Sequence, residues 1–209
     1  MAKAKINKIV STLIKADIVS LSALGLTNPI FAIFITSQIK GGDVKVIGFA
    51  AAIYWIIKAL IEIIFGKILD KTKGEKDDFY FLFAGYMVVG ICCFAYIFTT
   101  LPWHIYVLQA FFGIGMAMTL PSWCAIFTRH IDKGKEAFEW SLQSSTVGLG
   151  TGITGAIGGV LVSSLGFYAL FAIVGILVII GDLLLLVIYK EIAGKNKRFW
   201  PFTKSRSPF

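Results

Sequence analysis

Six apolar blocks run along the chain, at about 16–38, 46–69, 79–99, 104–128, 140–164 and 166–189, and each is close to the roughly 20 residues that a bilayer-spanning helix needs. Within each block the apolar residues are continuous. They do not alternate, and the runs are too long for barrel strands, so helices are the way these segments satisfy their backbone groups in lipid. The pattern predicts an all-α membrane protein of six transmembrane helices, with a helical domain over 1–190 and a basic tail over 191–209. The remaining segments are short loops and an amino-terminal arm, so no separate soluble catalytic domain fits, and function must reside within the bundle.

Composition strengthens this reading. Of 209 residues, 57 % are hydrophobic and 15 % charged, and the mean hydropathy is +0.80, which excludes an ordinary water-soluble domain. The net charge of +8 is compatible with nucleic acid, anionic lipid or membrane orientation, and the positions of the charges separate these. Seventeen basic residues lie in the arm (Lys3, Lys5, Lys8, Lys15), after block two (Lys67, Lys71, Lys73, Lys76), after block four (Arg129, Lys133, Lys135) and in the tail (Lys190, Lys195, Lys197, Arg198, Lys204, Arg206). Only Lys40 and Lys45 lie in the alternate loops. The positive-inside rule then puts both termini in the cytoplasm, leaves no reason to invoke nucleic acid, and lets the tail touch anionic lipid. The first block is too long for a signal-peptide core and lacks a small-residue cleavage site, so it counts as helix one.

The candidate chemistry is sparse. Cys92, Cys93 and Cys124 lie inside apolar blocks and read as small fillers. His104 and His130 fall at opposite membrane faces, so no metal site is expected. No cofactor is called for, and no nucleophile, base and metal set can be assembled into an enzyme site. Block two carries ionisable residues at depth: Lys58 and Glu62 are spaced i, i+4 on a face with Tyr54, with Trp55 beside them. Such a stripe either locks the bundle as a self-neutralising pair or lines a cavity that contacts solute or a proton. Asp182 in block six is a second intramembrane acid, expected to snorkel or to bond a neighbouring helix.

Glycine and proline mark the remaining features. Thr27-Asn28-Pro29 and Thr119-Leu120-Pro121 interrupt blocks one and four, the first helix of each three-helix half. Matched kinks at Pro29 and Pro121 suggest an inverted repeat with its site between the halves, although each alone is also an ordinary packing kink. Asn28, Gln109 and Trp123 complete a candidate solute path with Tyr54, Trp55, Lys58 and Glu62. Block five carries Gly148, Gly152, Gly155, Gly158 and Gly159, small residues that permit close helix approach, either for tight packing or for a sliding joint.

Three motifs carry a family resemblance. The run from Gly66 to Lys76, with Gly66, Asp70, Lys71, Gly74 and Lys76, resembles the signature loop of the major facilitator superfamily, with Gly74 one residue later than usual. Leu108 to Gly115 resembles the family's helix-four motif with Gln109 in place of its arginine, and Thr154 to Gly159 resembles its helix-five motif without the proline. The resemblance implies a 3+3 inverted-repeat bundle equivalent to one half of a twelve-helix transporter, like half-length members in the plasma membrane of bacteria. It further implies alternating-access transport of a small solute, with the Asp70 loop as a conformational latch. One lobe would leave half a cavity wall open to lipid, so a homodimer, or pairing with a second six-helix half, is expected. The alternative is a membrane interaction or assembly protein that keeps the fold without transport.

Overall fold

The computed structural model describes residues 6–71 and 74–194. Among these the chain is all helical: α1 (Lys8–Gly25), α2 (Phe31–Gln38), α3 (Val44–Lys71), α4 (Lys76–Ala95) with a 3-10 turn at Tyr96–Phe98, α5 (Pro102–His130) and α6 (Glu136–Gly194). Four stretches are long and apolar enough to cross a membrane: Val44–Lys71, Lys76–Phe98, Pro102–His130 and Glu136–Ala193.

Local chemistry sets the breaks. α1 opens on Asn7, whose side chain accepts from the Ile9 amide at 2.9 Å. It stops ahead of Pro29, which has no amide proton to continue the ladder, and the Thr27 hydroxyl donates to the Leu24 carbonyl at 2.8 Å. The first apolar block is therefore two helices joined by a turn over 26–30. Pro121, by contrast, sits inside an unbroken α5, where Thr119 and Ser122 donate to the Met116 and Met118 carbonyls at 2.9 and 2.8 Å. The matched interruption expected from sequence thus differs between the two sites. α6 is 59 residues long, about twice a single span, and loses helical geometry at Gly166, where φ is +81°. That left-handed conformation suits glycine, and it divides α6 into arms over 136–165 and 167–194.

α1 packs chiefly on α6, α4 packs on α5 and on α6, and α3 lies outermost against α5. The main core joins Leu13, Leu82, Val89, Phe127, Val178 and Leu185; a smaller one around Phe34, Tyr96, Ile105 and Phe171 closes one end. At that end the Lys40 amide donates to the Thr100 carbonyl at 3.0 Å. At the other end Lys8 pairs with Glu191, the Tyr80 and Tyr189 hydroxyls lie 2.7 Å apart, and Arg129 pairs with the buried Asp78. The start of α1, the end of α6 and the α3–α4 connection consequently share one face of the bundle. Large apolar side chains of α3, including Ile56, Leu60 and Ile63, stand more than half exposed, an outer surface that suits lipid and not water.

Candidate functional site

The stripe on α3 forms as its spacing implies. Lys58 Nζ donates to Glu62 Oε2 at 2.7 Å and stands 5.6 Å from the Trp55 ring centroid, while Tyr54 packs edge-on against Trp55 and against Phe112 of α5. The two charged side chains are 12 % and 30 % exposed, so the pair is sheltered on one flank and open on the other. Gly113 provides the shelter: a Cβ there would sit 2.9 Å from the Tyr54 carbonyl oxygen, so α3 and α5 meet backbone to backbone beside the pair. An aliphatic ammonium next to a carboxylate and an indole face offers both signs of charge and a π surface to a polar or amphipathic solute.

Other expected path residues are scattered. Asn28 is exposed in the 26–30 turn and Gln109 is half-buried on α5. Trp123 is buried in the core, stacked 4.5 Å from Phe127 and edge-on to Trp140 at 5.7 Å.

The latch segment lies at the end where the termini meet. Gly66 and Asp70 line a cavity of about 410 Å³ with Pro121, Cys124, Thr128 and Arg129. Asp70 is exposed, and no hydrogen bond joins it to Lys71 among the described residues; Arg129 is instead engaged by Asp78. Lys71 ends α3, Gly74 lies in the bend, Lys76 opens α4, and positions 72–73 fall outside the described residues. Lys3, Lys5 and the tail beyond 194 also fall outside them, including the candidate lipid-contacting basic residues there.

The glycines of α6 divide by face. A Cβ on Gly158 would overlap the Leu26 carbonyl and one on Gly150 the Ser22 hydroxyl, while one on Gly25 would lie 2.9 Å from Thr151 Cα. These make the α1–α6 seam. Gly155 sits at ordinary contact distance from the Gly25 carbonyl and Gly159 at 4.0 Å from Ile30. Gly148 and Gly152 have nothing within 4 Å of a built Cβ and face away from the bundle.

A second polar constellation, not singled out from sequence, lies in the interior. The buried Asp17 of α1 accepts from the Tyr86 hydroxyl of α4 at 2.9 Å and from the Gln143 amide of α6 at 3.0 Å. Asp182, on the second arm of α6, is fully buried, and neither carboxylate oxygen has a hydrogen-bond partner among the described residues. It does not snorkel. The available signal for Asp17 is a lone acid in an apolar run, the same signal that drew attention to Asp182.

Comparison with known proteins fits this architecture. The sequence pattern of the Major Facilitator Superfamily matches residues 18–209. Over 112 residues, 53 % of this chain, the sequence is 27 % identical to the proton-coupled antiporter flippase LtaA of Staphylococcus saprophyticus subsp. saprophyticus. The matched stretch spans 28 % of that relative's length.

Proposed function

Because the chain belongs to the Major Facilitator Superfamily, an assignment that makes it an integral membrane protein of a transporter family, we propose that it forms one lobe of a secondary transporter that moves a small solute by alternating access. The observation that carries this reading is the Tyr54–Trp55–Lys58–Glu62 stripe: a charged and aromatic patch on a helix that has no other charged side chain between 47 and 66. Ionisable groups at this depth persist where they face a cavity or one another; this pair faces one another, sheltered by α5 on one flank and open on the other, where a partner lobe would complete a cavity.

In this reading the chain crosses the membrane six times as a 3+3 inverted repeat, with α1 and α2 sharing one crossing and the two arms of α6 making two. The end that gathers Lys8, Arg129 and Glu191 faces the cytoplasm, and the Lys40–Thr100 end faces outward, an orientation that the excess of basic residues at the first end supports. A second copy supplies the missing cavity wall. The open Gly148–Gly152 face of α6 supports close approach of that partner, and the Asp70 segment biases the lobe between access states.

Solute screening in proteoliposomes, with subunit counting in native-like bilayers, tests the proposal. Uptake that is lost in Lys58→Met by a dimeric protein supports it. A dimer that moves no solute across a broad screen, while binding another membrane protein, favours the assembly-protein reading. Reaction of a cysteine placed at position 43 or 102 only from the cytoplasmic side would overturn the assigned orientation.

A further inference from the structure

The last two residues of α5 reach the start of α4 by different chemistry. Arg129, whose guanidinium keeps its charge at every physiological pH, pairs with the buried Asp78. His130 is itself buried, and its Nε2 stands 3.5 Å from Oε2 of Glu75, the residue that precedes α4. Glu75 follows Gly74 in the bend between α3 and α4, and its carbonyl accepts from the Phe79 amide at 3.0 Å, the first turn of the helix.

The other ring nitrogen fixes what this contact needs. His130 Nδ1 lies 3.0 Å from the Ile126 carbonyl oxygen, one turn back in α5. A carbonyl oxygen only accepts, so Nδ1 carries a hydrogen whenever this contact is kept. The neutral ring therefore has a bare Nε2, and a lone pair set against a carboxylate oxygen repels it. Glu75 Oε2 is buried and has no hydrogen-bond partner among the described residues, so the contact is favourable only when one further proton lies between the two groups. The remaining charged groups of the elements that meet here are otherwise engaged or turned outward. Asp78 holds Arg129 and lies within electrostatic reach of Asp70 of α3 and of Asp77. In the turn after α5, Asp132 pairs with Lys135 at 3.0 Å and donates its amide to Glu139 of α6 at 3.3 Å, while Lys133 and Lys71 stand exposed. None of these is paired with His130 or Glu75 among the described residues.

We propose that His130 and Glu75 form a proton-dependent tether at this end of the bundle: with a proton on Nε2 the imidazolium holds the Glu75 carboxylate, and without it the carboxylate is released to water. Loading takes the proton from hydronium and returns water; no other bond changes and no electrons move. The Arg129–Asp78 pair joins α4 to α5 in both states, so release frees the bend ahead of α4 and leaves the helices in place. Two neighbouring residues thus supply a fixed link and a switchable one, because histidine changes charge near neutral pH and arginine does not. The bend belongs to the segment proposed above to bias the lobe between access states, and only that consequence of the tether rests on the transporter reading. In the orientation proposed above, the proton comes from the cytoplasm.

The test is nitrogen NMR of ¹⁵N-histidine in the full chain in lipid nanodiscs between about pH 5 and 8, the range in which histidine changes charge. Hydrogen exchange at the first turn of α4, corrected for the intrinsic rate at each pH, is followed alongside. The chain has two histidines, and His104→Gln separates their signals. His130 is expected to carry protons on both nitrogens at the acid end and to become the Nδ1–H tautomer, the minor form of free histidine, at the alkaline end. Protection of the Phe79 amide should fall about tenfold over the same range, the worth of one charge-assisted hydrogen bond. Glu75→Gln should keep that protection at high pH, because its side-chain amide donates to the bare Nε2, and His130→Phe should lack it at every pH. A neutral His130 in the Nε2–H form, or wild-type protection that does not change with pH, overturns the proposal, and neither reading needs a variant of the tether. A pH response that survives in Glu75→Gln overturns it as well. No outcome depends on uptake, so failure here is distinguishable from failure of the transporter reading.

Discussion

The bundle holds two groups of charged residues in apolar surroundings, and they solve the same problem in opposite ways. Lys58 and Glu62 share one helix, neutralise each other at 2.7 Å and need nothing else from the fold beyond the close approach of α5 at Gly113. Asp17 of α1 is held instead by the Tyr86 hydroxyl of α4 and the Gln143 amide of α6, while Asp182 of α6 is buried with no hydrogen-bond partner among the described residues. A self-neutralised pair is cheap to hold and able to open towards a solute. Buried acids without a cation beside them are costly to hold and depend on the donors that the tertiary packing brings to them. In the proposed reading the stripe is the part that meets solute, whereas the interior acids belong to the packing.

Replacing the centre of the interior cluster should have the largest effect. Asp17→Leu leaves the Tyr86 hydroxyl and the Gln143 amide without acceptors in the core, at a cost of about 3 kcal/mol. Thermal unfolding in nanodiscs is expected to show a large drop in midpoint, with Asp17→Asn losing less because an acceptor oxygen remains. A wild-type midpoint for Asp17→Leu would reduce the cluster to an incidental contact.

Next comes the seam that holds the cluster together. Gly158→Ala drives a methyl group into the Leu26 carbonyl, which is backbone and yields little, so a loss of about 2 kcal/mol is expected in the same assay. The α3 stripe should respond less. Lys58→Met or Glu62→Gln alone is expected to cost about 1–2 kcal/mol, below the 3–5 kcal/mol typical of wholly buried pairs, because in the proposed reading the open flank that leaves Glu62 30 % exposed meets a hydrated solute path and not lipid. The double variant should recover stability. Recovery of stability without uptake marks the pair as solute-contacting, and recovery of both marks it as structural.

The smallest effect on folding is expected at Gly148→Ala, within about 0.5 kcal/mol, since a built Cβ meets nothing within 4 Å. The same variant should lower the dimer fraction in bilayers if a second copy seats on that face. An unchanged dimer fraction would remove Gly148 from the interface.

Much of this protein is written in local pattern. Blocks of about 20 apolar residues dictate helices because lipid offers no partner to an unpaired amide, and the i, i+4 spacing of Lys58 and Glu62 suffices to join them because a single helix fixes their separation. The family loop from Gly66 to Lys76 was legible for the same reason, as a contiguous run. What sequence did not determine is everything that depends on two distant segments meeting. Pro29 and Pro121 look alike in their Thr-x-Pro settings, yet one ends a helix and the other lies within one, because hydrogen-bonding and packing around each proline differ. The glycines of block five look equivalent, yet Gly158 is pressed against α1 and Gly148 is open, a matter of which way the helix is rotated. Asp17, Tyr86 and Gln143 are far apart in the chain, and only the folding of α1 and α4 against α6 joins them. Spacing along one helix is a covalent fact, whereas the meeting of an acid, a phenol and an amide from three helices is set by the tertiary packing of all the segments between them.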